Sequence, residues 1–147
     1  MKKRYFVPIL IFILFGCSYK QNKLKRKVDK ELGVTLEKGI VLFISKDNCV
    51  SCFENSIYSW IDYADTTNYP IYGLFYSKSK KFPLEHKLLM DKTKIFIEWR
   101  KTKRIDLITD AAMISGKDSP FILIVKNGSI LYLDKLKPST MVDKTGF

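Results

Sequence analysis

The sequence predicts an α/β domain: a three-layer sandwich with a small mixed central sheet and helices against its faces. Three observations carry this. A continuous apolar run, Gly39-Ile40-Val41-Leu42-Phe43-Ile44-Ser45, has the character of a strand buried on both sides. Helical and strand-like stretches alternate after it. Near the C-terminus, Phe121-Ile122-Leu123-Ile124-Val125 runs into Asn127-Gly128, the favoured two-residue hairpin turn, and Ile130 to Leu133 returns.

In chain order, the first feature is an address. Met1-Lys2-Lys3-Arg4 is basic, Val7 to Phe15 is apolar apart from Pro8, and Gly16-Cys17 is followed at once by polar residues. An apolar run of about ten residues is too short for a bilayer, which needs about 20, and describes an export signal. The ending Leu14-Phe15-Gly16-Cys17 resembles the lipobox of bacterial lipoproteins. That resemblance implies cleavage before Cys17, lipidation of its thiol, and a lipid-anchored protein of the cell envelope facing the periplasm or exterior. Residues 1–16 are then the signal peptide, and 17–38 a lipidated N-terminus with a basic tether.

Lys20, Lys23, Lys25, Arg26 and Lys27 lie just beyond the lipid site. They either hug an anionic membrane surface or form a solvated tether. Leu24, Val28 and Leu32 recur every fourth residue before Gly33, which allows a short amphipathic helix with a glycine stop.

The folded part spans 39–134. After the first strand and a polar turn at Lys46-Asp47-Asn48, Phe53, Ile57, Trp60, Ile61 and Ala64 share one helical face, so a helix runs to about Asp65. Ile71 to Tyr76 is a second strand, and Lys78 to Pro83 a basic turn. Leu84 to about Lys103 has helical spacing, with Ile95-Phe96-Ile97 open to a strand reading. Ile105 to Thr109 is a short strand or connector, and Ala111 to Ser119 a turn of helix followed by loop. Residues 135–147 form a polar tail without a convincing helix, so a C-terminal helix is missing from the layout.

Formal charge is +11, from 26 Lys and Arg against 15 Asp and Glu. An exported chain with scattered lysines does not suit nucleic acid, and that class drops out. The composition also excludes disordered, collagen-like and solenoid chains. Three cysteines and a single His are too few for a disulfide scaffold or a zinc site.

The chemistry sits in Cys49-Val50-Ser51-Cys52, a C-x-x-C motif at the junction of strand and helix. The spacing puts both sulfurs within one helical turn. A helix N-terminus presents unpaired N–H groups and a positive dipole end, which favour a thiolate. Cys49 is expected to be the exposed nucleophile and Cys52 the inward, resolving thiol. Lys46 and Glu54 flank the motif with opposite charges and receive no role.

With Ser119-Pro120 placed before the apolar strand and Lys126-Asn127-Gly128 hairpin, the chain resembles the thioredoxin-like superfamily across residues 39–134. The resemblance implies a cis-proline loop against the active-site sulfurs, with Ser119 and Pro120 positioning substrate. It implies thiol–disulfide exchange with protein or small-molecule thiols and disulfides. No cofactor beyond the cysteine pair is needed, and a membrane redox partner resets that pair. The sequence departs from the pattern at Asn48, where an aromatic is usual, at Val50-Ser51 between the cysteines, and at Phe43, where thioredoxin itself has a buried acid.

Two alternatives stay open beside an envelope oxidoreductase. One is a non-catalytic binding lipoprotein with a structural disulfide. The other is a copper-handling protein using the cysteines and His86, although its relatives space their cysteines one residue further apart. Otherwise His86 is expected on a helix surface and Trp60, Trp99 and Tyr58 in the core or at its rim.

Overall fold

The computed structural model describes the backbone of residues 6–78 and 83–141, and side chains from Ser18 onward within them. Residues 1–5, 79–82 and 142–147, together with the side chains of residues 6–17 (Cys17 among them) and 141, lie outside the described residues.

The elements are α1 (Phe6–Leu32), β1 (Gly39–Ser45), α2 (Val50–Thr67), β2 (Ile71–Tyr76), α3 (Leu84–Thr93), β3 (Ile97–Thr102), α4 (Ile105–Ser115), β4 (Phe121–Lys126) and β5 (Ser129–Lys135). A short 3₁₀ turn, Ser139–Met141, follows. The five strands form one sheet in the order β3-β2-β1-β4-β5. β1, β2 and β3 are parallel, while β4 runs antiparallel to β1 and β5 antiparallel to β4.

β1 is central and every one of its residues is buried, as its uninterrupted apolar run requires. Side chains alternate between faces of a strand. Ile40, Leu42 and Ile44 therefore join Phe53, Ile57 and Trp60 of α2 and Leu89 of α3 in one core layer. Val41 and Phe43 point the other way, into a layer with Leu107 and Ala111 of α4 and Leu24, Val28 and Leu32 of α1. Both faces of the sheet are thus covered.

α1 continues past the export-type segment as a single helix. Leu24, Val28 and Leu32 are fully buried, and Gly33 ends the helix at φ +66, a left-handed conformation that glycine reaches without a Cβ penalty. The segment expected as a basic tether with a possible helix therefore packs on α4 and β5 from Leu24 onward.

After β5 the chain returns along α2. The Leu136 N–H donates to the Pro120 carbonyl at 2.7 Å, Trp60 Nε1 donates to the Lys137 carbonyl at 2.8 Å, and Ser139 N–H donates to Ser59 Oγ at 2.7 Å. This strap occupies the region beyond β5, where no helix longer than the 3₁₀ turn is found among the described residues.

Three expectations about elements are corrected. The helix from Leu84 stops at Thr93, and residues 97–102 form edge strand β3, paired to β2 with Gly73 opposite Trp99. Any Cβ at Gly73 would overlap the indole ring, so the bare glycine is what admits Trp99 over the sheet. Second, Ile105 to Thr109 is neither strand nor connector but the start of α4, which buries Leu107 and Ala111 at i, i+4 and ends at Gly116, φ +66. Third, His86 is buried rather than superficial; its ring packs against Phe75 at a centroid distance of 5.3 Å.

Candidate active site

The site forms where β1 ends. At that edge Ser45 still pairs with Tyr76 of β2 but lies past Phe43, where the pairing with β4 ends, and Asn48 Oδ1 accepts its N–H at 2.7 Å. The Asn48 N–H donates back to the Ser45 carbonyl at 3.1 Å, closing the turn Lys46–Asn48. Cys49 follows as the residue that begins α2, in extended conformation and with no side-chain cap. The Cys52 N–H donates to the Cys49 carbonyl at 3.1 Å. The remaining N–H groups of the first turn are left for solvent or a ligand, since no side chain caps them.

Cys49 and Cys52 are disulfide-bonded, with Cα atoms 5.3 Å apart. Cys49 Sγ and Ser51 Oγ lie 3.2 Å apart, so in the reduced protein the Ser51 hydroxyl can donate to a Cys49 thiolate. Both cysteines are exposed, which corrects the expectation that Cys52 lies inward. The physical reason is helical phase. Val50 and Phe53, three apart, take the buried face of α2, and Cys52 falls off it.

Ser119 and Pro120 are brought to the same turn. The Ser119–Pro120 peptide bond is cis, Pro120 is buried, and Asn48 Nδ2 donates to Ser119 Oγ at 3.1 Å. Asn48 thus spans three segments, taking the β1 end on its oxygen and the proline loop on its nitrogen. The sequence marks this residue only as a departure from the family pattern and gives it no role. The available signal was its type: an amide offers both an acceptor and a donor on a short side chain, where a tryptophan offers a donor alone and a phenylalanine neither.

Phe43, in place of an acid, is fully packed in the α1/α4 layer, and no Asp or Glu is buried among the described residues. Protons reach or leave the exposed sulfurs through water. Beside the pair, Val50, Ser51, Glu54, Glu85, Leu88 and Lys92 line a groove of about 230 Å³ between α2 and α3. Glu54 is held by Lys92 at 3.7 Å.

Among the described residues no group of three or more His, Cys, Asp or Glu could hold a metal. Neither ring nitrogen of His86 has a hydrogen-bond partner among them. None of the described helices is long and apolar enough to cross a membrane.

The strand order, with the cysteine pair at the start of α2 and the proline loop bonded to its turn, has the thioredoxin-like layout expected from the sequence. No known family model matches the chain, and no curated protein matches it. Among solved structures it is similar to the thioredoxin domain of a thiol-disulfide oxidoreductase from Bacteroides vulgatus. The identity is 17% and the TM-score 0.46, over 67% of this chain and 70% of that one.

Proposed function

We propose that this protein is a thiol–disulfide oxidoreductase of the bacterial envelope, anchored by lipid on Cys17. The observation that carries the redox reading is the exposed Cys49–Cys52 disulfide at an uncapped helix start, joined through Asn48 to the Ser119-Pro120 loop. The envelope and lipid parts are supported by the sequence of residues 1–20.

In the reducing direction the Cys49 thiolate attacks one sulfur of a substrate disulfide. An S–S bond forms between Cys49 and substrate, and the other substrate sulfur leaves as a thiolate that takes a proton from water. The Cys52 thiolate then attacks Cys49 Sγ, releasing the second substrate thiolate and forming Cys49–Cys52. Two electrons have passed to the substrate, and a membrane dithiol donor restores the pair. The reverse sequence oxidises a substrate dithiol and needs a disulfide or quinone-linked oxidant. Ser51 stabilises the thiolate, and Ser119 and Pro120 position the substrate.

Redox titration of the pair against glutathione or dithiothreitol, read by thiol trapping and mass spectrometry, tests this. A reversible couple between about −120 and −270 mV is expected, and a value below about −300 mV would mark a static bridge and a binding module instead. Cys52→Ser should accumulate substrate-linked mixed disulfides on Cys49 in envelope extracts; their absence counts against exchange. For the anchor, mass spectrometry of the mature N-terminus should find diacylglycerol on Cys17, and a different first residue would overturn it.

A further inference from the structure

The outward face of α1 is a built cationic surface. Of the basic residues on this helix, Lys25 is withdrawn into an ion pair with Asp29 and is nearly buried. Lys27 is withdrawn into pairs with Asp106, at 2.9 Å, and Asp110 of α4. Lys23, Arg26 and Lys30 are exposed and make no ion pair among the described residues.

At about 100° per residue, Lys23, Arg26 and Lys30 fall within about 60° of one another, on the side of α1 opposite Leu24, Val28 and Leu32. That opposite side is the one buried on the sheet. With Lys27, Glu31 and Arg104 they border a shallow cleft of about 630 Å³. Lys27 and Arg104 are matched by Asp106 and Asp110, and Glu31 offsets one of the three exposed α1 cations, so the surface keeps a net excess of two positive charges.

We propose that this face of α1 docks on anionic phospholipid headgroups and lays the domain on the bilayer with a fixed orientation. Three features choose this occupant. The surface is cationic and runs along an exposed helix face beside an open, shallow cleft, which suits a layer of phosphates. Cys17, the proposed lipid site, stands on the same continuous helix, about 9 Å of helix axis before Lys23. Lastly, α2 with its cysteine pair packs on the other face of the sheet, so docking through α1 leaves the disulfide uncovered. Docking rests on the membrane attachment proposed above and adds the surface and the lipid class that orient the site.

Vesicle co-sedimentation tests it. The full chain, made in a translation system without lipidating enzymes, is mixed with phosphatidylcholine vesicles alone or containing about a third phosphatidylglycerol. At low salt the anionic lipid should raise partitioning about a hundredfold, three residues at about fivefold each. Salt should weaken this gain. Lys23→Gln/Arg26→Gln/Lys30→Gln should lose most of the gain while keeping its binding to phosphatidylcholine. Glutamine is a good helix former, and circular dichroism checks that α1 persists.

The control Lys78→Gln/Lys94→Gln/Lys117→Gln removes equal charge elsewhere and should keep the gain. No gain in the wild type overturns the proposal, and is the result if this face serves an acidic protein. Equal loss in both triples also overturns it, since net charge alone would then suffice. A gain that depends on the α1 residues and not on the control residues sustains the docking surface.

Discussion

Asn48 shows how much one amide can organise. Removing it as Asn48→Ala leaves the Ser45 N–H without its acceptor and frees the Ser119 loop from the cysteine turn. The expected cost is about 1–2 kcal/mol in urea unfolding, with slower disulfide exchange. Asn48→Asp should recover most of the stability, because a carboxylate still accepts from Ser45 and can accept from the Ser119 hydroxyl. Its negative charge beside Cys49 should keep exchange slow by disfavouring the thiolate. Recovery of both properties together would show that Asn48 acts only as a structural tie. The pairing of Cys49 with Cys52 was legible at this scale from their spacing, and the meeting of the Ser119-Pro120 loop with the cysteine turn from the thioredoxin-like resemblance. The exposure of Cys52 was not, because it depends on which face α2 turns to the sheet. Nor was the burial of His86, since a histidine between Glu85 and Lys87 reads as surface until Phe75 is seen against it.

At the scale of elements, β1, α2, β2 and the β4–β5 hairpin were readable because periodicity and turn chemistry agree there. β3 was hidden because Leu84, Leu88 and Leu89 set a helical spacing that Ile95 and Trp99 happen to extend. What ends the helix is tertiary: Thr93 Oγ1 accepts from Trp99 Nε1 at 2.9 Å, and the indole lies over Gly73. Gly73→Ala should therefore destabilise by about 1–3 kcal/mol, and combining it with Trp99→Leu should cost less than the two changes summed. Simple additivity in urea titrations would count against the ring–glycine contact. α4 was hidden by its β-branched residues, whose preference is overridden by packing against α1.

The α1–α4 junction also fixes a pH dependence. Hydrogen bonds from Arg104 and then Lys27 hold the Asp106 carboxyl well below its ordinary 3.8. Between the folded and ordinary values the unfolded chain binds the proton and the folded chain does not. The junction's contribution is therefore complete above the ordinary value and lost progressively as pH falls from there through the lower folded-state value. Asp106→Asn should flatten the loss of stability between about pH 4 and pH 2, measured by urea midpoints across that range. An unchanged slope would show that the ion pairs add nothing, as exposed pairs often do.

For the molecule as a whole, the unexpected result is where the cover of the second sheet face comes from. The sequence shows no final helix, and the structure supplies the cover from the opposite end of the chain, through Leu24, Val28, Leu32 and Leu36. Their every-fourth spacing was legible; their docking site, formed by Phe121, Leu123 and Val125 far along the sequence, was not. Leu24→Ala should cost about 2–5 kcal/mol. A chain beginning at Gly39 should lose its cooperative thermal transition, whereas one beginning at Ser18 should keep it. If the shorter chain melts as sharply and as high, α1 is dispensable to the fold.

The sheet order also sets a timetable for synthesis. β1 is made early but sits between β2 and β4, and β4 brings Val125 opposite Gly39. α1 emerges earlier still and waits for the same late hairpin. Contacts this far apart in sequence close slowly, and none of them is possible while the last quarter of the chain is inside the ribosome. The β1–β2–β3 pairings and the α1–α4 contact join earlier-made segments, so a nascent chain can hold that half of the sheet while the other edge of β1 stays open until the hairpin is made.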